Sequence, residues 1–122
     1  MTVRWLSVED LIQLVVDLDV GPVRDVGLLQ SACARPQTTL IGIDAYPTLA
    51  SKAAVLLESL VRNHPLADGN KRLGWLSVVV FLGLNGVDVD APDDDAYQLV
   101  VDVASGARDY RWAADRLQDW CR

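Results

Sequence analysis

Nine consecutive residues, HPLADGNKR at positions 64–72, contain the single histidine of the chain and three charged residues. A histidine side chain titrates near neutral pH and can take a proton from a hydroxyl, a role open to His64. The carboxylate of Asp68 is a hard oxygen ligand suited to Mg²⁺, which usually accompanies nucleotide phosphates. Lys71 and Arg72 are cations suited to phosphate. Together these residue types indicate phosphoryl or nucleotidyl transfer.

The position of this segment beside a helix strengthens that interpretation. The apolar run LSVVVFLGL at residues 76–84 follows closely and predicts a helix that begins near Asn70. Free backbone N–H groups and the helix dipole make such an N-terminus an anion site, and Gly69 lets the backbone approach a ligand closely. Lys71 and Arg72 lie in the first turn, where cations are unfavourable unless an anion lies between them.

Each of these residues also has a purely structural interpretation. A lone histidine before a proline, such as His64, is often a loop residue or a helix-end cap. Asp68 is suited to the N-cap position, and Lys71 and Arg72 are suited to a solvated helix face. Composition and spacing alone leave the structural and the functional interpretations open.

The elements that position this segment are predicted to be almost all helical. Turn residues and caps predict six helices, which begin at Ser7, near Asp25, at Thr48, near Asn70, near Asp93 and at Asp109. The fourth is apolar on all sides, so we expect it to be the central, buried helix. Residues 38–43 are rich in β-branched side chains around a glycine, which predicts a short extended strand or hairpin. We therefore predict one all-α domain over residues 1–122.

The bulk composition excludes several classes of function. The net charge of −6 argues against broad binding to nucleic acid or to an anionic membrane. Cys33 and Cys121 are too few for a disulfide framework. The first ten residues contain acids where a signal peptide is apolar, and the apolar run at 73–84 is shorter than the roughly 20 residues that span a bilayer. We expect a cytoplasmic protein without nucleic-acid or membrane partners.

Residues 64–72 resemble the signature of the Fic/Doc family, H-P-F-x-[DE]-G-N-[GK]-R. The likeness extends to residues 24–29 (RDVGLL), 34–37 (ARPQ) and 81–86 (FLGLNG), which resemble segments of the Doc branch. It covers roughly residues 3–90. The resemblance implies a compact helical bundle of about six helices with a short extended flap.

The resemblance also implies a role for each residue of the motif. It implies a general base at His64, a Mg²⁺ ligand at Asp68, a phosphate-binding anion hole at Gly69, Asn70 and Lys71, and a clamp on the terminal phosphate at Arg72. The family's flap, which holds a target peptide as an added strand, would be the extended segment, with Thr39, Leu40, Ile41 and Gly42 at its centre. ATP and Mg²⁺ are the implied cofactors.

Two positions depart from the most common Fic pattern. Leu66 replaces a phenylalanine that faces the core, which is a mild change. Lys71 replaces the second glycine, and this is the Doc-type form. Adenylylating Fic enzymes have the small glycine there, which admits the α- and β-phosphates. Doc proteins carry the lysine, and they are toxins that phosphorylate the translation factor Tu. The resemblance therefore implies γ-phosphate transfer to an elongation factor Tu-like protein, with AMP transfer or a non-catalytic nucleotide- or antitoxin-binding domain as alternatives.

The sequence also bears on how such an activity would be restrained. Many family members inhibit themselves through a helix with the pattern [ST]-x-x-x-E-[GN], and neither Glu9 nor Glu58 fits it. The resemblance then implies a separate Phd-like antitoxin. We predict an open apolar groove beside the motif, formed by several helices, that an amphipathic partner segment fills.

Overall fold

The computed structural model describes residues 2–122, which form six α-helices and one two-stranded hairpin. The helices are α1 (Val8–Leu18), α2 (Val26–Ala34), α3 (Leu49–Asn63), α4 (Asn70–Leu84), α5 (Asp93–Ser105) and α6 (Tyr110–Trp120). A 3₁₀ turn (Arg35–Gln37) follows α2, and the antiparallel strands β1 (Thr39–Leu40) and β2 (Ile43–Asp44) form the hairpin. The predicted all-α bundle with a short extended segment is confirmed.

Local side-chain caps set several helix boundaries, as the sequence predicted. Ser7 accepts from the backbone N–H of Asp10, whose carboxylate accepts from Ser7 in return. Thr48 and Ser51 make the same reciprocal pair at the start of α3. Such caps satisfy N–H groups that a helix leaves free at its first turn. The first residues of α1 and α3 could therefore be predicted from a few neighbouring positions in the sequence.

Helix α3 occupies the centre of the bundle, whereas the sequence predicted that the fourth helix would. Eleven of the 15 residues of α3 are buried, and this helix packs against α2, α4, α5 and α6. In α4, Trp75 and Leu76 are half-buried and Val79 is 36% exposed. The apolar run of α4 did not reveal which side faces the core, because one side of α4 borders an open groove described below.

A glycine permits α3 and α4 to pack closely just beyond the loop that joins them. A Cβ atom at Gly74 would lie 2.7 Å from Cγ1 of Val61 and 3.0 Å from Cδ1 of Leu57. A larger residue at position 74 would therefore require the side chains of Val61 and Leu57, or the helices themselves, to move. This close approach constrains both ends of the connecting loop, residues 64–69, which holds the candidate site.

Crossing a membrane requires a helix of greater length and apolar character than any found within residues 2–122.

Candidate active site

His64 lies where α3 ends and the loop begins. It is the C-cap residue of α3, with a left-handed backbone (φ 54°, ψ 61°). A non-glycine residue in this conformation is strained, and such residues cluster at functional sites. The side chain is exposed, and its Nδ1 atom lies 3.4 Å from Nδ2 of Asn70. His64 is therefore both a helix-end residue and an accessible base.

The side chain of Asn70 clamps the loop from inside. Its Oδ1 accepts from the backbone N–H of Leu66 at 2.9 Å, and its Nδ2 donates to the Leu66 carbonyl at 3.0 Å. These two bonds fix the orientation of the amide, so its second N–H faces His64. Because this side chain is buried within the loop, Asn70 offers its backbone N–H to an anion. Leu66 is 1% exposed and anchors the loop in the core, as predicted.

A second segment, residues 20–25, runs alongside the loop and holds it through backbone hydrogen bonds. The N–H of Gly21 donates to the Asp68 carbonyl at 3.0 Å, and the N–H of Arg24 donates to the Pro65 carbonyl at 2.7 Å. The guanidinium of Arg24 also donates to the carbonyl of His64 at 3.0 Å. Sequence reasoning assigned no role to Arg24, since two irregular segments 40 residues apart carry no periodic signal of their pairing.

Gly69 is the N-cap of α4 and can be no other residue without rearrangement. Its φ is +91°, and a Cβ atom there would lie 2.5 Å from Cβ of Val20. Within the described residues no side chain caps α4, so the alternative in which Asp68 acts as the N-cap is excluded. The first N–H groups of α4 therefore remain available to an anion, beside the positive end of the helix dipole.

All six motif residues with a predicted role line one cavity of about 320 Å³. Its lining comprises Val61, His64, Ala67, Asp68, Gly69, Asn70, Lys71 and Arg72. Lys71 and Arg72 are exposed, and neither forms an ion pair with another side chain within residues 2–122. Two cations that remain unpaired at the positive end of a helix dipole indicate an anionic ligand.

The site also suits a magnesium ion that arrives with a nucleotide. The Asp68 side chain is exposed at the cavity. Residues 2–122 contain no group of three or more His, Cys, Asp or Glu side chains that would hold a metal by themselves. Mg²⁺ commonly binds through one or two carboxylates together with substrate phosphates and water. One carboxylate beside a phosphate-sized cavity fits that mode.

The predicted extended segment forms an exposed hairpin, which does not line this cavity. Thr39 pairs with Asp44 and Leu40 with Ile43. The turn residues Ile41 and Gly42 have φ of 52° and 75°, as a tight hairpin turn requires. Leu40 and Ile43 are 67% and 71% exposed, and Ile41 is fully exposed. The hairpin thus presents apolar side chains to its surroundings.

A larger groove of about 600 Å³ adjoins the cavity, as predicted. Lys71 and Arg72 border both spaces. The remaining lining comes from α1, α4 and α5, with Leu18, Trp75, Leu76, Val79, Asp93, Ala96, Tyr97, Val100 and Val101. A mainly apolar groove that opens beside a charged site is suited to an amphipathic partner segment.

Two comparisons with known proteins agree with this geometry. A model of the Fic/DOC family matches residues 5–82, which include the whole motif. A relative from Mycolicibacterium smegmatis called Toxin Doc is 54% identical over 85 residues. These residues make up 68% of this chain and 65% of the relative, so the match spans slightly less than two thirds of that protein's length.

Proposed function

The chain belongs to the Fic/Doc family, and from that premise we propose that it transfers the γ-phosphate of ATP to a protein hydroxyl. The observation that carries the proposal is the cavity at the uncapped N-terminus of α4. There, the exposed base His64, the carboxylate of Asp68 and the cations of Lys71 and Arg72 share one space.

The proposed reaction requires each of these residues for a separate task. His64 takes the proton from the target hydroxyl as the oxygen attacks the γ-phosphorus. The bond from that phosphorus to the β,γ-bridging oxygen breaks, and ADP leaves. Arg72 and the backbone N–H groups of Asn70 and Lys71 hold the phosphate oxygens. Magnesium bound at Asp68 would neutralise charge on the phosphates.

Lys71 is the reason to propose phosphate transfer rather than AMP transfer. A triphosphate can lie across the N-terminus of α4 in either direction. A glycine at position 71 would leave room for the inner phosphates, whereas the lysine side chain narrows that space and adds a cation. A terminal phosphate carries more negative charge than an inner one, so the lysine favours the γ-phosphate beside His64.

The proposed target is an elongation factor Tu-like protein of the cytoplasm, held by the hairpin of β1 and β2. The similar Toxin Doc supports a toxin role, and the exposed apolar side chains at Leu40, Ile41 and Ile43 support a protein target. A target segment would add a strand to the hairpin, since a two-stranded hairpin has unpaired edges. Modification of such a factor would arrest translation.

The proposed restraint is a separate Phd-like antitoxin, whose amphipathic segment fills the groove of α1, α4 and α5. The groove reaches Lys71 and Arg72, so a segment within it would also cover the phosphate site. Glu58 is engaged elsewhere, in ion pairs with Arg35 and Arg62. Co-purification with the product of a neighbouring gene tests this part of the proposal; a chain that stays inactive and monomeric without a partner contradicts it.

The test of the transfer reaction uses ATP labelled at either the α- or the γ-phosphate. Each is incubated with the protein and purified elongation factor Tu. Label from the γ position alone supports the kinase. Label from the α position would establish the adenylyltransferase instead, and binding of ATP without transfer would indicate a non-catalytic domain. Lys71→Gly is the matched variant and should abolish γ-transfer.

A further inference from the structure

A buried lysine lies beneath the hairpin, far in sequence from the motif. Lys52 is one of two lysines in the chain and is only 3% exposed, although it lies near the start of α3. A buried ammonium group is destabilising unless it is paired and hydrogen-bonded. A methionine or leucine would fill the same space without that cost. The position of the charge therefore requires an explanation.

The contacts of Lys52 connect two separate segments to α3. Its Nζ atom lies 3.2 Å from Oδ2 of Asp44 on strand β2 and donates to the backbone carbonyl of Tyr46. It also lies 5.8 Å from the ring centroid of Trp5, in the segment before α1. The ammonium thus holds the second strand of the hairpin and the turn that leads from that strand into α3.

The hairpin has little other support. All four residues of β1 and β2 are exposed, so packing against the helices does not stabilise the strands. A two-stranded hairpin by itself is marginally stable in water. Arg35 and Tyr110 both hold the side chain of Tyr46, with Nε of Arg35 3.3 Å from the hydroxyl, but neither side chain makes a hydrogen bond or ion pair to a residue of β1 or β2. Lys52 is the cation that reaches the strand.

We infer that Lys52 is a positioning residue that fixes the hairpin relative to α3 and thereby presents its apolar tip to a protein target. The inference rests on the proposed function in one respect, since it takes the hairpin as the target-binding element. Lys52 does not line the cavity of the motif. Its loss should therefore weaken binding of the protein target and leave the chemistry of the site unchanged.

The first experiment measures amide hydrogen exchange of the free protein and needs no substrate. Lys52→Met should raise the exchange rate of the Ala45 amide, which donates to the Thr38 carbonyl at 2.9 Å, on the order of 10-fold. Amides of α4 should keep their rates. Asp44→Ala removes an exposed partner without placing a new group in the core, and it should raise the same rate by a smaller factor.

Arg62→Met is the matched control. Arg62 is a half-buried cation of α3 that pairs with Glu58 and donates to the carbonyls of Val103 and Arg108, with no contact to the strands. Its loss should lower the melting temperature and leave the Ala45 amide unchanged. Equal loosening of the hairpin by Arg62→Met and Lys52→Met would overturn the inference, because the effect would then be global. Unchanged exchange in both Lys52→Met and Asp44→Ala would overturn it as well.

The second experiment measures transfer from γ-labelled ATP to elongation factor Tu. Lys52→Met should raise KM for the protein target on the order of 10-fold, with kcat and KM for ATP within about 2-fold of wild type. A fall in kcat on the order of 10-fold, with KM for the protein target unchanged, would overturn the positioning role. If the wild-type protein transfers no label, the proposed function has failed, and the exchange rates alone then decide whether Lys52 anchors the hairpin.

Discussion

The loop at residues 64–69 and the hairpin at residues 39–44 flank opposite ends of α3, and they are built in contrasting ways. The loop is held along its length by the buried Asn70 amide and by backbone bonds to residues 20–25, and it exposes polar groups. The hairpin is held near its base by Lys52 and exposes apolar groups. A transfer site needs atoms fixed to within a fraction of an ångström, whereas a surface for a protein target tolerates adjustment.

The contrast predicts that the largest effect on turnover comes from an exposed residue of the loop, His64. His64→Ala should lower phosphate transfer by at least ~10²-fold, the lower range for loss of a general base. Its exposed side chain makes few contacts, so the melting temperature and ATP binding should change little. Transfer assays and ATP titration are the measurements. A variant as active, and in cells as toxic, as wild type would remove His64 from the mechanism.

A rigid loop should fail when its backbone is disturbed. In Gly69→Ala the new methyl group would meet Val20 at 2.5 Å, in a backbone conformation that alanine rarely adopts. We expect a loss of ~2 kcal/mol in the free energy of unfolding, together with weaker ATP binding. Chemical denaturation and ATP titration would show both. Gly83→Ala is the control, because nothing lies within 4 Å of a Cβ atom there.

A substitution in the hairpin turn should stabilise the hairpin and, at the same time, weaken binding of the protein target. Ile41 is a β-branched residue at φ 52° and is fully exposed, so it is unfavourable in its own turn. Ile41→Asn creates the preferred Asn-Gly turn and should stabilise the hairpin by up to ~1 kcal/mol. It should also raise KM for the protein target several-fold, since an apolar contact is lost. A stabilised variant with unchanged KM would show that the tip does not contact the target.

The smallest effect on turnover is expected at the last turn of α2, from which the chain leads into the hairpin, because Cys33 there lies in neither the cavity nor the strands. The reactivity of its thiol instead tests how firmly this turn is packed. Burial, with further contributions from Asp10 and Glu9, raises the pKa of the Cys33 thiol from 9.0 to about 11. At pH 8 the folded chain should therefore react with iodoacetamide at Cys33 ~100-fold more slowly than the unfolded chain, because the thiolate fraction is lower. Mass spectrometry of the labelled peptide measures this rate.

The direction of the raised pKa also sets the dependence of stability on pH. A folded-state pKa above the unfolded one leaves stability intact below pH 9 and lowers it as the pH rises toward 11. Fast labelling of Cys33 at pH 8 would mean that the last turn of α2 opens in the folded protein, and that the hairpin is not joined to a firmly packed helix end.

The sequence by itself determined the helix starts and the set of residues that line the candidate site. Caps such as Ser7 with Asp10 and Thr48 with Ser51 act over three residues, so neighbouring positions suffice to predict them. The motif likewise lies within nine residues, and the helix that follows Gly69 brings the remaining groups together. Local geometry of this kind requires no knowledge of the rest of the chain.

Only the tertiary structure decided which helix is central and which contacts support the loop and the hairpin. The burial of α3 in place of α4 depends on where the neighbouring helices pack, which an apolar run does not specify. The contacts from Arg24 to His64 and from Lys52 to Asp44 and Tyr46 are made by side chains whose partners lie outside their own elements. Periodicity describes one element at a time, so pairings between elements emerge only when the chain is folded.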